Sequence, residues 1–268
     1  MTSTTLALFF ASGLPGTWVA AAGLSAGVSA EALAARWMTV RLVRKLAGQA
    51  PDDGISYRAI VRFYTPLALT SLISLAAQPM ATFFVARGRA PLESLAVLPV
   101  VNSLSFIFRA LGLSYQEVSI ALLGRGARNW PLLARFGTAL GLGSSLAMAL
   151  IVFTPLTGLW FGTLSGLSSE LTRFALPPAR ILVLLPAFSV LLSIQRAILV
   201  HGRDTTPITW ATAIEIGGIA AALTLCIGPL GMVGATAAAI AFLVGRWGGN
   251  LYLAGPCAAV LRASAGSW

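Results

Sequence analysis

Stretches of about 20 or more predominantly apolar residues, each long enough to cross a bilayer, recur along nearly the whole chain. Charge is confined mostly to the gaps between them. Hydrophobic residues make up 57% of the 268 residues and charged residues only 10%, with a mean hydropathy of +0.85. A soluble domain carries about 25% charged residues, so this chain lacks the polar surface that water requires. A helix rises ~1.5 Å per residue and the hydrocarbon layer is ~30 Å thick, which sets the length of each run. A transmembrane barrel would alternate apolar and polar residues with period two, and these runs do not. The expected fold class is therefore all-α: a polytopic membrane protein, multi-pass in the cell (inner) membrane.

The pattern reads as about seven transmembrane helices. The first lies within residues 5–35, is rich in small residues (Gly13, Gly16, Gly23, Gly27), and is kinked or begun by Pro15. A basic linker over 36–62 follows, amphipathic around Trp37, Val40, Leu42 and Val43 and broken by the turn cluster Gln49 to Gly54. Six further spans are expected near 63–86, 92–123, 136–160, 174–200, 207–227 and 230–260. The division is thus 1–35 a first helix, 36–62 a linker, 63–262 a six-helix bundle and 263–268 a tail. Pro66, Pro79 and Pro186 are the expected kinks or hinges, together with Gly248 and Gly249, where the last span reads as interrupted.

Arginine is the dominant charge, 17 Arg against the single Lys45, with a net charge of +10. These cations sit at the edges of apolar runs, the pattern of charge that orients helices, so no nucleic-acid partner is expected. Alternating the gaps across the membrane places eleven Lys and Arg on the side of the linker and four on the other. That bias puts 36–62 in the cytoplasm and the N-terminus outside. An outside N-terminus with no basic leader before its first apolar run suggests a piece of something longer.

Five ionisable residues fall inside spans: Arg109, Glu117, Arg196, Glu215 and Arg246. Each costs about 2.5–3.5 kcal/mol in hydrocarbon, so each should face a bundle interior, a watery cavity or a partner. Asn102, Ser105, Arg109, Leu113, Gln116 and Glu117 advance by three or four and form one mostly polar stripe. Arg109 and Glu117 are two turns apart, ~12 Å, too far to pair directly. Ser189, Ser193 and Arg196 share a face of the span near 174–200, as do Thr212 and Glu215 of the span near 207–227. Arg246 and Asn250 lie one turn apart beside Gly245, Gly248 and Gly249. Two readings stand for these residues: a cavity-lining set, or a polar network that only holds helices together. In the second, Glu215 pairs with Arg196, and Gly245 and Gly249 form a close helix contact of the G-x-x-x-G kind. Three arginines against two glutamates favour an anionic solute over a cation.

Enzyme motifs are absent: there is no H-E-x-x-H, no G-x-S-x-G, no P-loop and no dinucleotide fingerprint. Cys226 and Cys257 lie in apolar surroundings and His201 stands alone, so neither a metal site nor a cofactor is expected.

Three stretches carry a resemblance. Within RAIVRFYTPLALTSLISLAAQPMATFFVARG, Pro66-Leu67 is followed by Gln78-Pro79 and then Arg87. Next comes LAVLPVVNSLSFIFRALGLSYQEVSIALLG. Later, Gly202-Arg203-Asp204 and Thr206-Pro207 precede Gly231-x-x-Gly234-Ala235. In this order and spacing, over about residues 36–262, the chain resembles the second half of the MATE and MOP-flippase superfamily. The second stretch most resembles its progressive ankylosis protein-like branch. The resemblance implies two pseudo-symmetric six-helix bundles around a central cavity, of which this chain would supply the second and one preceding helix. It implies transport of a small solute by alternating access, and a missing N-terminal bundle or second subunit as partner besides the lipid bilayer. The anion-exporting branch fits the excess of arginine. The alternatives implied are a lipid-linked saccharide flippase, or a truncated, non-transporting scaffold packed against another helical protein.

Overall fold

The computed structural model of the chain describes residues 16–46, 57–123 and 128–265. The chain divides into two units, Met1–Ser56 and Tyr57–Trp268. In the first, helix α1 spans Gly16–Leu46. It begins inside the first expected span and continues over Arg36–Leu46, which the sequence pattern assigned to the linker. The turn cluster at 49–54, Pro15 and residues 5–14 lie outside the described residues.

The second unit is a helical bundle: α2 Tyr57–Leu75, α3 Ala77–Val85, α4 Pro91–Leu122, α5 Trp130–Phe153, α6 Ser169–Leu182, α7 Leu185–His201, α8 Thr206–Ile227 and α9 Gly234–Ala265. A π-helical turn, Gly158–Leu164, connects α5 to α6. No strand occurs among the described residues; an isolated bridge between Arg89 and Val233 joins two interhelical loops. Among the described residues five segments are long and apolar enough to cross a membrane: Ile60–Val85, Pro91–Leu122, Trp130–Phe153, Ser169–His201 and Thr206–Ile227. The protein is thus an all-α polytopic membrane protein. Helix α9, at 32 residues, is ~48 Å long and can cross as well, although Arg246, Asn250 and its glycines dilute its apolar character.

Proline explains where two of these spans break. Pro79 has no N–H and its ring collides with the carbonyl four residues back. That position is Leu75, the last residue of α2, and α3 restarts at Ala77. Pro186 acts likewise on Leu182, the last residue of α6, and itself stands at the second position of α7. Pro66 by contrast lies inside α2, where its carbonyl accepts hydrogen bonds from the Thr70 and Thr209 hydroxyls at 2.8 Å each. This ties α2 to α8. The interruption expected at Gly248 and Gly249 does not occur, because α9 runs unbroken through them. In lipid every backbone N–H needs a partner, and a continuous helix supplies one without help from water.

Helix α7 is the axis of the unit. It packs against α4, α5 and α9, and Ser189, Val190, Leu192, Ser193, Ile194, Ala197 and Ile198 are all buried. One apolar cluster surrounds Val190, Ile198, Leu199 and Leu253; a second surrounds Val101, Leu104, Met148, Phe161 and Leu182; a third surrounds Val85, Ile219, Leu223 and Ala238. The outside is equally apolar: Leu142, Leu146 and Leu150 of α5 are exposed at successive turns. In water such a face would aggregate, whereas against acyl chains it costs nothing.

Candidate solute-binding cavity

A cavity of about 260 Å³ opens between α4, α7, α8 and α9, with the α2–α3 break on its remaining side. Helix α4 contributes Asn102, Phe106, Arg109 and Leu113, one face at helical spacing. Helix α7 contributes Ser189, Ser193 and Arg196. Thr212 and Glu215 come from α8, Phe242 and Arg246 from α9, and Ser74 and Gln78 from either side of the break at Ala76.

Glycines set how closely these walls approach. A Cβ on Gly112 of α4 would lie 3.2 Å from the Val190 backbone nitrogen of α7. A Cβ on Gly245 of α9 would lie 2.6 Å from both the Glu215 carbonyl oxygen and Ile219 Cγ1 of α8, closer than real atoms approach. Gly249, one turn on, faces the Ala211 carbonyl oxygen at 3.3 Å by the same measure. The G-x-x-x-G of Gly245 and Gly249 is therefore the α8–α9 contact, and it brings Arg246 beside Glu215.

The charges are held unequally. Glu215 accepts two bonds at one oxygen, Oε1, from Arg246 Nη2 at 2.8 Å and Arg246 Nε at 2.9 Å. Arg109 Nε donates to Ser189 Oγ at 3.2 Å, and that hydroxyl donates onward to the Leu185 carbonyl at 2.8 Å. Arg196 Nη2 donates to Thr212 Oγ1 at 3.2 Å, and the Thr212 hydroxyl donates to the Ile208 carbonyl at 3.0 Å. Each of these two guanidiniums is thus steered by a hydroxyl of a neighbouring helix. Among the described residues neither has a carboxylate partner, and Arg196 Nε has no partner at all. Three guanidiniums and one carboxylate leave the lining with a formal charge of +2.

Of the residues singled out from the sequence, Asn102, Arg109, Arg196, Glu215 and Arg246 meet here, together with Leu113, Ser189, Ser193 and Thr212. The pairing differs from expectation, since Glu215 bonds Arg246 and not Arg196. The glycines draw α9 against α8 at that level, whereas Arg196 reaches α8 one turn earlier, at Thr212. Gln116 and Glu117 lie further along α4, outside the lining, and Glu117 is exposed. Asn250 is buried away from the cavity in a network between α7 and α9. Its Nδ2 donates to the Phe188 carbonyl at 2.9 Å, and its own carbonyl accepts from Gln195 Nε2 at 3.0 Å. Ser74, Phe106 and Phe242 were not singled out. Phe106 was recoverable, since it completes the spacing from Asn102 to Arg109. Ser74 and Phe242 carry no signal of their own in an apolar run. Among the described residues no group of His, Cys, Asp and Glu could hold a metal ion.

No protein-family model matches the chain, and no curated protein matches it. Solved structures do. One is a MOP superfamily transporter from Pyrococcus furiosus, described as having a binding pocket of reverse polarity that suggests a different function. It is 22% identical with a TM-score of 0.55, and the match covers 73% of this chain and 43% of that one. The other is a multidrug resistance MATE family transporter of the MOP superfamily in an outward-facing conformation, with the same identity and TM-score and 44% of its length covered. The chain therefore spans less than half the length of these neighbours. Over that part it shares the fold of MATE and MOP superfamily transporters.

Proposed function

We propose that this chain is one half of a MATE-like secondary transporter and that it moves a small anionic solute by alternating access. The second unit is its second six-helix bundle, α1 belongs to the helix that precedes it, and the stretch between α1 and α2 is the cytoplasmic linker. The partner is an N-terminal bundle or a second subunit that closes the site from the other side. Solute binds near the midplane, where this architecture places it. The observation that carries the reading is the pair of guanidiniums, Arg109 and Arg196, that face the cavity with hydroxyl partners only. A scaffold would gain nothing from two uncompensated charges that each cost about 2.5–3.5 kcal/mol to insert. In a low-dielectric cavity those charges attract an anion far more strongly than in water. The excess of guanidinium over carboxylate in the lining favours a di- or trivalent anion over a cation, and with it the progressive ankylosis-like branch.

Uptake into proteoliposomes decides it. The chain, alone and together with the reading frame that precedes it, is reconstituted and offered labelled citrate, labelled pyrophosphate or the cationic dye ethidium. Anion uptake above protein-free vesicles, with no dye uptake, is expected. Dye transport without anion flux would move the protein to the drug-exporting branch, and flux of neither would favour the scaffold.

A further inference from the structure

The Glu215–Arg246 pair joins α8 to α9 at the cavity wall. Its two side chains are 12% and 13% exposed, and both line the cavity that Arg109 and Arg196 also line. Every charged group that faces Glu215 is a guanidinium: Arg246 on α9, Arg196 on α7 and Arg109 on α4. The α2–α3 wall offers only the neutral Ser74 and Gln78. Among the described residues Glu215 is thus the one carboxylate of an otherwise cationic lining, and it holds Arg246 through Nε and Nη2, both on Oε1. Its Oε2 has no hydrogen-bond partner among the described residues.

We propose that the solute anion and a proton bind to this cavity together, the proton on Glu215. The inference rests on the anion-site reading above and adds its coupling. An anion held by Arg109 and Arg196 acts on Glu215 in two ways of the same sign. It repels the carboxylate, and it competes for Arg246, the carboxylate's ion-pair partner. Both make a proton, taken from water and bonded to Oε2, more favourable with solute bound than without. By reciprocity, protonation strengthens anion binding to the same degree. The chemical result is that protonation frees the third guanidinium for the solute, taking the lining from a formal +2 to +3. A trianion gains more from this than a dianion, because only the protonated site can neutralise all of its charge. Glu215 thereby sets both the pH dependence and the valence preference, and a proton travels with the anion.

The test uses anions that stay fully ionised across the neutral range, so that any proton taken up belongs to the protein. Sulfate serves as the dianion and cyclic trimetaphosphate as the trianion. Binding to the purified full chain is measured calorimetrically in two buffers of different ionisation heat, which counts protons. Wild type is expected to take up protons on binding, more with trimetaphosphate than with sulfate. Its affinity should rise as pH falls by up to about tenfold per pH unit, the limit for one linked proton. Glu215→Gln should bind both anions with no proton uptake and a flat pH profile. Removing one member of a buried pair can unfold a protein, whereas replacing both is often neutral. The double variant Glu215→Gln with Arg246→Gln therefore stands beside it and is expected to bind sulfate without proton uptake. Anion binding with no proton uptake in wild type, or uptake that persists in both variants, overturns the proposal and leaves the anion site standing. Absence of anion binding at every pH overturns the anion site itself.

Discussion

An arginine in a membrane helix is expensive enough that its surroundings report its purpose. Arg109 has a serine hydroxyl on α7 and an open cavity before it. Its stem needs no charge to stay in place, so Arg109→Gln should leave the bundle folded while removing one charge-assisted contact to the solute. Such a contact is worth about 1.5–3 kcal/mol, so anion affinity should fall at least about tenfold with the melting temperature nearly unchanged. Loss of both together would make Arg109 a structural residue. Glu117 is the contrasting case. Helix α4 has 32 residues, ~48 Å of helix for ~30 Å of hydrocarbon. Glu117 lies in its last turns, exposed, where the headgroup region can solvate it. Glu117→Gln should therefore change neither anion binding nor stability by more than about 0.5 kcal/mol. A large loss of uptake in that variant would place Glu117 on the solute path. The two residues read alike in sequence because spacing fixes the face of a helix but not which part of that face a neighbour covers. Likewise Glu215 could be assigned an arginine partner, but choosing between Arg196 and Arg246 required knowing which helix lies one glycine away.

At the scale of the element, five of the expected spans were legible because ~20 apolar residues leave few alternatives in a chain with so little charge. The breaks were legible as well where proline dictates them, at Leu75 before Pro79 and at Leu182 before Pro186. What misled was glycine. Gly248 and Gly249 read as an interruption, yet α9 is continuous, since glycine weakens a helix in water far more than in a bilayer that penalises any unsatisfied backbone. Their neighbours tell the two glycines of this face apart. Gly245→Ala would place a methyl 2.6 Å from the Glu215 carbonyl oxygen, a backbone atom that cannot step aside. Gly248→Ala meets nothing nearer than Ile214 Cγ2 at 3.7 Å. The first should destabilise by about 1–3 kcal/mol, as overpacking does, and disturb the Glu215–Arg246 pair. The second should be neutral or slightly stabilising. Thermal unfolding of the two variants in detergent compares them directly, and equal melting temperatures would mean that α8 and α9 are not in contact at Gly245.

At the scale of the whole molecule, helix count and charge make one joint statement. In the proposed six-pass bundle, with α2–α3 and α6–α7 counted as single passes, Arg58 and Arg62 would share a side with Arg262 at its end, and Arg125 and Arg128 would follow them. Arg87 and Arg89 fall on the other, in a loop tied to the α8–α9 turn by the Gly234 amide, which donates to the Arg89 carbonyl at 3.2 Å. Positive charge accumulates in the cytoplasm, so the proposal puts the start and end of the unit there and the α5–α6 connection outside. Both cysteines of the chain are buried, which leaves the protein silent to a membrane-impermeant thiol reagent until one is introduced. Ser169→Cys places a thiol at the exposed start of α6 and spares Ser168, whose hydroxyl caps that helix by accepting from the Leu171 amide at 3.3 Å. Ala50→Cys places one in the linker. Reagent added to intact cells should modify Ser169→Cys and reach Ala50→Cys only after the membrane is opened. The opposite pattern would invert the bundle.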